Sequence, residues 1–199
     1  MREHRVAAWR GLDAWRAEYV DIWLYADRVL ARGVQIGVEP EPYRLQYALD
    51  TIPRFTTARL TADTAGAAWS RRLDLIRGQE GDWHLTADEA GSAELGGPGG
   101  DPGALAGALD CDLAFSALFN SLPVLREQLL ERREPMDFEM AWVSVPDLGV
   151  RRSRQRYVPL SGERVQFISL DSETEFRAEL HFDADGLVTL YEDFLERVA

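Results

Sequence analysis

Two aspartates on either side of a cysteine are the first residues in this sequence whose spacing suggests chemistry. Asp110 and Asp112 flank Cys111, and in a strand both carboxylates would point to the same face. Paired carboxylates can act as general acid and base, or they can bind a hard cation. The alternative, which we prefer, is a polar network that holds the following loop through its backbone N–H groups.

A cluster of arginines is the second candidate. Residues 151–156 contain four arginines in an otherwise acidic chain. Together they could bind one small anion, such as a phosphate, a sulfate or a carboxylate head group. The simpler interpretation is a solvated hairpin whose guanidinium groups pair with surplus carboxylates. Gln155 and Tyr157 alternate with the arginines and could face inward.

The sequence lacks the signatures of the common catalytic sites. It contains no nucleophile elbow, metalloprotease helix, phosphate loop or dinucleotide-binding glycine motif. His4, His84 and His181 are scattered, and Cys111 lies in an acidic stretch that disfavours a thiolate. We therefore expect a protein that is not an enzyme and that needs no metal or cofactor. A hydrolase or isomerase built on the two aspartates is the least favoured alternative.

Composition narrows the class of protein. The chain has 199 residues, with 22 arginines, no lysine and 34 acidic residues, and its net charge is −12. This charge argues against nucleic-acid binding, because that affinity comes from neutralising phosphates. A single cysteine fits a reducing compartment, and the N-terminal residues show no signal-peptide pattern. Since no uncharged run approaches the roughly 20 residues of a membrane span, we expect a cytoplasmic protein with no transmembrane segment.

Short alternating stripes predict the elements that must hold these residues. Apolar residues alternate with polar ones at 43–49, 136–142 and 176–182, and more weakly at 55–62. Such alternation is typical of strands with one buried face. Turn signals at short intervals, without alternating helices, predict an all-β fold with an antiparallel sheet and a single domain over residues 1–199.

Two early strands differ from this pattern. Residues 19–25 are apolar on both faces, with Tyr19, Trp23 and Tyr25 on one of them. This strand is expected to lie centrally in the core or to turn one face toward an apolar cavity. Residues 29–38 carry small side chains on one face, which leaves room for another group to approach closely.

Two short helices and one flexible loop complete the expected elements. Ser121 is expected to cap a helix with Pro123 in its first turn, and residues 194–198 are expected to form an amphipathic helical turn. The segment 91–103 holds eight Gly or Pro in 13 residues. It predicts a flexible surface insertion, with a lid as the alternative.

Several of these segments together resemble a bacterial family described as putative glycolipid-binding proteins, long carried as a domain of unknown function. The resemblance covers roughly residues 6–198, and the order and spacing of the segments are more specific than any one of them. The matching segments are Pro42 to Tyr47, Trp69 with Leu73 to Leu75, Leu105 to Leu113, Asn120 with Leu122 to Val124, Met140 to Leu148, Ser153 to Tyr157 and Asp183 to Val188, with Trp9 near the start.

The resemblance implies a spiral β-roll, in which a long curled sheet forms a half-barrel. It also implies a fold similar to bacterial carriers that shelter acyl chains, and binding of a glycolipid or another acyl-bearing ligand. This chain departs from the family before Pro123, where Ala117, Phe119 and Ser121 occupy a stretch that is usually richer in Thr and Pro. That change would alter any head-group preference.

The leading hypothesis is a non-enzymatic binder of an amphipathic small molecule in an apolar cavity, with a glycolipid or fatty-acyl ligand as the partner. The alternative is a protein-interaction or scaffold role with a filled core, in which an apolar patch could support a homodimer. The candidate ligand-binding residues are Tyr19, Trp23, Tyr25, Asp110, Asp112, Asn120, Trp142, Gln155, Arg156 and Tyr157.

Overall fold

The computed structural model describes residues 2–171 and 176–199 and places most of them in one large sheet. The first arm of the sheet is a meander of β1 (Glu3–Gly11), β2 (Arg16–Leu24), β3 (Val29–Gly37), β4 (Tyr43–Ile52), β5 (Thr56–Ala65), β6 (Trp69–Arg77) and β7 (Trp83–Gly91). The second arm contains β8 (Asp110–Leu113), β9 (Met136–Val143), β10 (Val150–Pro159), β11 (Arg164–Ser169), β12 (Arg177–Phe182), β13 (Val188–Tyr191) and β14 (Leu195–Arg197).

The two arms meet where the first and last strands pair. Trp9 of β1 lies opposite Arg197 of β14, and the strand order is β7-β6-β5-β4-β3-β2-β1-β14-β13-β12-β11-β10-β9-β8. Neighbouring strands are antiparallel except at one edge, where β8 runs parallel to β9. The prediction of an all-β fold built on one curled sheet is confirmed.

The sheet curls until its two arms face each other. β8 hydrogen bonds directly to β5 of the other arm: Thr57 N donates to Leu109 O at 3.1 Å, and Cys111 N donates to Thr57 Oγ1 at 3.1 Å. Nearby, Trp83 Nε1 donates to Ala108 O at 3.2 Å. We call these contacts the seam, and inward-facing apolar residues of both arms form one core beneath it.

A buried helix fills the space inside the curl. α1 (Ala117–Glu127) buries its residues from 117 to 124, including Phe119, which is 0% exposed. The predicted start at Ser121 is wrong, because the helix begins after Ser116 and contains Pro123 in its interior. A helix without an exposed face gains its stability from packing, which here outweighs the backbone hydrogen bond that an interior proline removes.

The predicted helical turn at 194–198 is also wrong, because this segment forms β14. Leu195 lies opposite Gly11 of β1, and Val198 N donates to Ala8 O at 2.7 Å. The pairing with β1 supplies backbone partners that the local apolar spacing does not reveal.

The sequence predicts that β2 lies centrally in the core or turns one face toward an apolar cavity. Neither prediction holds. Val20 and Ile22 face the core and are fully buried, whereas Tyr19 and Trp23 lie on the outer face. Tyr19 is 47% exposed. The second apolar face of this strand is therefore part of the outer surface.

The small inner face of β3 is filled by tyrosines of β4. The ring of Tyr47 lies against Gly33 and the ring of Tyr43 lies against Gly37, so a Cβ at either glycine would overlap a ring. The close approach predicted for this face is therefore made by the protein's own side chains.

The segment rich in glycine and proline packs against the turn between β9 and β10. Gly99 forms a parallel bridge with Gly149, and Val150 N donates to Gly99 O at 2.7 Å. The segment then enters a short 3-10 helix, Pro102–Leu105, whose N-terminus is capped by Asp101. No helix in residues 2–171 and 176–199 is long and apolar enough to cross a membrane.

Candidate functional site

An open cleft of about 420 Å³ lies on the inner face of the second arm. Its lining comes from second-arm strands and their connections, from α1 and from the segment 114–116, which leads into α1. Among the described residues, its aromatic lining consists of Phe115, Trp142, Phe167, Phe176, Tyr191 and Phe194. Its polar lining includes Asp112, Ser116, Asn120, Arg151, Ser153 and Gln155. We call this site the aromatic cleft.

The aromatic rings of the cleft support one another. Between ring centroids, Tyr191 lies 5.0 Å from Phe194 and 5.8 Å from Phe167, and Phe115 lies 5.8 Å from Phe194. The guanidinium of Arg16 stacks on Phe115 at 4.3 Å. Contacts at these separations are favourable beyond the burial of their area, so the rings form a well-packed apolar wall.

A chain of buried hydrogen bonds runs beneath the rings. Asn120 Nδ2 donates to Tyr157 Oη at 2.9 Å, and Tyr157 Oη donates to Gln155 Oε1 at 3.2 Å. Gln155 Nε2 then donates to Asp112 Oδ2 at 2.6 Å. Each of these four side chains is at least nine-tenths buried. The chain therefore runs in one direction and ends at the carboxylate of Asp112.

Asp112 keeps one oxygen open to the cleft. Its Oδ1 has no hydrogen-bond partner among the described residues and is not sealed from solvent. Burial raises the pKa of Asp112 to about 6, although the hydrogen bond from Gln155 opposes this shift. Asp110 raises the pKa further and Arg151 lowers it. At neutral pH the group is therefore mainly a carboxylate, which accepts hydrogen bonds and donates none.

Strand register places Asp112 in a row with two other residues of the cleft. Asp112 of β8 lies opposite Trp142 of β9, which lies opposite Arg151 of β10. The guanidinium of Arg151 stacks over the Trp142 ring at 4.4 Å, and within the described part of the chain it forms no ion pair. Asp112 is 8% exposed and Arg151 is an exposed residue, so the carboxylate lies at the floor and the cation at the mouth.

The other arginines of the 151–156 run lie on the outer face of β10 and are paired with carboxylates. The pairs are Arg152 with Glu139 at 3.1 Å, Arg154 with Asp171 at 2.9 Å and Arg156 with Asp137 at 2.5 Å. These three arginines therefore fit the simpler interpretation, a solvated hairpin whose guanidinium groups pair with carboxylates. Only Arg151 of the run contributes to the cleft.

Asp110 is buried away from the cleft. Its carboxylate is 0% exposed and accepts a hydrogen bond from Arg126 Nη1 of α1. Burial raises the pKa of Asp110, and the charge of Arg126 opposes that shift. The ion pair anchors the C-terminal end of α1 to β8, so the two aspartates have separate partners instead of acting as a pair.

The structure brings together part of the predicted ligand-binding set. Asp112, Asn120, Trp142 and Gln155 line the aromatic cleft, and Tyr157 lies directly beneath it. Their side chains come from β8, α1, β9 and β10, which the curl of the second arm places around one opening.

The early aromatic residues of the predicted set lie elsewhere. Tyr19 and Trp23 are on the outer face of β2, where the Trp23 ring stacks on His4 at 5.3 Å. Tyr25 follows β2 and packs under the guanidinium of Arg28 at 4.6 Å. None of these three rings lines the aromatic cleft.

Sequence reasoning missed most of the aromatic wall. Phe167 carried a usable signal, because it shares the buried face of β11 with Val165 and the polar Gln166 lies between them. Tyr191 ends a strand of four residues, Phe194 lies in the turn after it, and Phe115 lies in a distant connection. Local periodicity does not reveal that such separate segments meet.

A second buried polar cluster supports the cleft from behind. Glu18 Oε1 accepts hydrogen bonds from Tyr47 Oη at 2.8 Å and from Gln35 Nε2 at 3.3 Å. Gln35 Nε2 also donates to Ala114 O at 3.3 Å, and Tyr47 Oη lies 3.4 Å from Ser116 Oγ. These contacts hold the segment that leads into α1. Burial raises the pKa of Glu18 to about 7.

A groove of similar volume, about 410 Å³, runs along β4 to β7. Arg72 in this groove contacts Asp63 at 2.6 Å, and Arg71 contacts Glu89 at 3.7 Å. Its described lining contains no aromatic ring. The aromatic cleft is therefore the better candidate for ligand binding.

Comparisons with known proteins agree with this fold. A search of the curated proteins found no match. A crystal structure of a DUF1089 family protein from Pseudomonas aeruginosa is similar to this chain, with a TM-score of 0.74, 22% sequence identity and coverage of 91% of this chain and 92% of that one. At this identity the similarity concerns the fold. A family model described as "Putative glycolipid-binding" matches residues 6–197, which confirms the resemblance seen in the sequence, and the chain belongs to that family.

Proposed function

We propose that this protein binds an amphipathic small molecule, a glycolipid or another acyl-bearing compound, in the aromatic cleft and catalyses no reaction on it. The observation that carries the proposal is the presence of packed aromatic rings and buried polar side chains in one cleft. An acyl tail packs against the rings, while a polar head group bonds to the side chains of the floor. The family description supports the same class of ligand.

The size of the cleft fits this proposal. Small-molecule sites have volumes of about 300–1,000 Å³, and the cleft measures about 420 Å³. Burial of an acyl tail gains about 0.8 kcal/mol per methylene group. A ten-carbon tail therefore contributes roughly 8 kcal/mol before the cost of ordering, which is enough for micromolar binding without strong head-group contacts.

The chemistry of the lining supports binding without catalysis. Asp112 forms its hydrogen bond with the amide of Gln155 and not with a hydroxyl or thiol that it could activate. Cys111 is fully buried outside the cleft lining, and burial raises the pKa of its thiol. Among the described residues no nucleophilic side chain is hydrogen-bonded to Asp112, and such a carboxylate acts as a hydrogen-bond acceptor.

Native mass spectrometry of gently purified protein, with a delipidated sample as reference, tests the proposal. We expect a copurified lipid, or binding of a fluorescent fatty alcohol by the delipidated protein. The absence of both would reject the proposed function.

Removal of an aromatic ring should weaken this binding. Phe176 lines the cleft and is 41% exposed, so Phe176→Ala removes ligand contact at little cost to the core. We expect the Kd for the fluorescent fatty alcohol to rise by about fivefold or more. Ile36→Ala is the matched control, because Ile36 is 40% exposed on the outer face of β3. Equal affinities of the two variants would contradict the assignment of the cleft.

The outer face of β1 to β3 favours the alternative scaffold role. Val6, Tyr19, Val34 and Ile36 are between 40% and 47% exposed there. An exposed apolar face of this kind can pair with a second copy of the chain. Analytical ultracentrifugation of the wild type and of Tyr19→Ser tests this alternative: a dimer that the substitution dissociates supports it, and a monomeric wild type rejects it.

A further inference from the structure

The direction of the buried hydrogen bonds restricts what a ligand can offer to the floor of the aromatic cleft. Asn120 Nδ2, Tyr157 Oη and Gln155 Nε2 each donate one hydrogen bond to another member of this network. At its end, the network presents the free Oδ1 of Asp112, a hydrogen-bond acceptor, to the cleft. A carboxylate oxygen that a ligand covers without pairing loses its hydration, which carries a large penalty.

We propose that Asp112 selects ligands whose polar group donates a hydrogen bond, as a hydroxyl or a protonated amine does, and that it rejects a carboxylate or phosphate at the same position. The inference rests on the proposed function, because it requires the ligand to occupy the aromatic cleft. It adds a specificity-determining residue and the hydrogen-bonding character of the head group.

The surroundings of Asp112 reinforce its charge. Among the described residues no cation contacts Asp112, whose hydrogen bond comes from the amide of Gln155. Arg126 is engaged by Asp110 in the same strand. An anionic head group at the floor would therefore face a carboxylate at short range in a partly desolvated site, where like charges repel strongly.

Arg151 does not reverse this preference. Its guanidinium lies over the Trp142 ring at the mouth of the cleft and is exposed. Arg151 is in β10 and Asp112 is in β8, with β9 between them. An anion bound to Arg151 would therefore sit at the mouth. A head group that reaches the floor meets the carboxylate of Asp112 first.

A series of ligands with one tail and different head groups tests the proposal. Delipidated wild-type protein is titrated calorimetrically at pH 7.5 with decyl glucoside, decylammonium, decyltrimethylammonium and decanoate, each below its micelle concentration. We expect decyl glucoside or decylammonium to bind about tenfold more tightly than decanoate and decyltrimethylammonium, neither of which donates a hydrogen bond from its head group. The stronger of the two donors identifies a hydroxyl or an amine as the preferred group.

Two variants assign the effect to Asp112. Asp112→Asn replaces the acceptor with an amide that can also donate, so the preference over decanoate should fall by about tenfold. Asp137→Asn removes the same charge from the outer face of β9 and should preserve the preference. Thermal melts verify that both variants fold. If Asp112→Asn does not fold, the ranking of the four ligands by the wild type decides the question.

The contrary outcomes are distinct. Binding of decanoate to the wild type as tightly as decyl glucoside and decylammonium, or a preference that survives Asp112→Asn, would overturn the role of Asp112. Loss of the preference in Arg151→Gln but not in Asp112→Asn would assign selection to the mouth and would also overturn it. If none of the four ligands binds, the proposed function fails and the inference fails with it.

Discussion

Glu18 is a buried acid with one unpaired carboxyl oxygen. Its Oε2 and the Oε1 of Gln35 both lack a hydrogen-bond partner among the described residues. A proton on the carboxyl group would supply the missing donor. Burial raises the pKa of Glu18 to about 7, although hydrogen bonds from Ser116, Tyr47 and Gln35 oppose this shift.

The stability of the protein should therefore depend on the charge of Glu18. The folded state holds this proton more tightly than the unfolded state, in which the pKa is near 4.5. The free energy of unfolding thus loses a contribution on the order of 3 kcal/mol as pH rises from about 4.5 to about 7. Glu18→Gln lacks this loss, so the wild type should become less stable relative to the variant across that range.

Urea unfolding of both proteins at several pH values measures this difference. Other titrating groups, including Asp112, are common to the two proteins and cancel in the comparison. A difference in unfolding free energy that stays constant from pH 4.5 to pH 8 would show that Glu18 does not titrate in this range.

At the scale of single elements, a buried ion pair between Arg126 and Asp110 anchors the end of α1. Arg126 is 2% exposed at its side chain and Asp110 is 0% exposed. Removal of one partner of a buried pair leaves an uncompensated charge and typically costs about 3–5 kcal/mol. We expect Arg126→Met to lower the free energy of unfolding by about this amount, as measured by urea denaturation.

An exposed ion pair provides the control for this prediction. Arg156 and Asp137 have side chains that are 46% and 52% exposed, and water screens such a pair. Arg156→Met should therefore change stability far less than Arg126→Met. Similar losses in both variants would mean that Asp110 and Arg126 do not hold α1 in place.

Local sequence patterns predicted some elements and not others for physical reasons. β4 follows an alternating stripe, because it has one face in the core and one face toward water, and β9 alternates in the same way over residues 136–140. The start of α1 escaped prediction because burial overrides the preference of Pro123 for a first turn. β14 escaped prediction because its partner β1 is distant in the chain.

At the scale of the whole molecule, the aromatic cleft is a product of the curl. Asp112, Asn120, Trp142 and Gln155 were identifiable from residue type and family resemblance. The rings of Phe115 and Tyr191 were not, because their meeting depends on how the second arm wraps around α1. The charges in the sequence did not locate the site either. Arg152, Arg154 and Arg156 lie on the outer face of β10, where each pairs with a carboxylate.

The seam between the two arms should control how readily the molecule opens. Thr57 Oγ1 accepts the hydrogen bond from Cys111 N and lies 3.5 Å from Cys111 Sγ. Thr57→Val keeps the shape but removes this acceptor, which should lower the free energy of unfolding by about 1–3 kcal/mol. Because Cys111 is free and 0% exposed, its reaction with a thiol reagent under native conditions reports local opening of the seam.

We expect Cys111 to react faster in Thr57→Val than in the wild type. Thr61→Val is the matched control, since Thr61 lies on the outward-facing side of the same strand, between the buried Leu60 and Ala62. Its thiol reactivity should stay at the wild-type rate. If both variants label at that rate, the hydrogen bond at Thr57 does not hold the arms together, and the core beneath must close the curl without it.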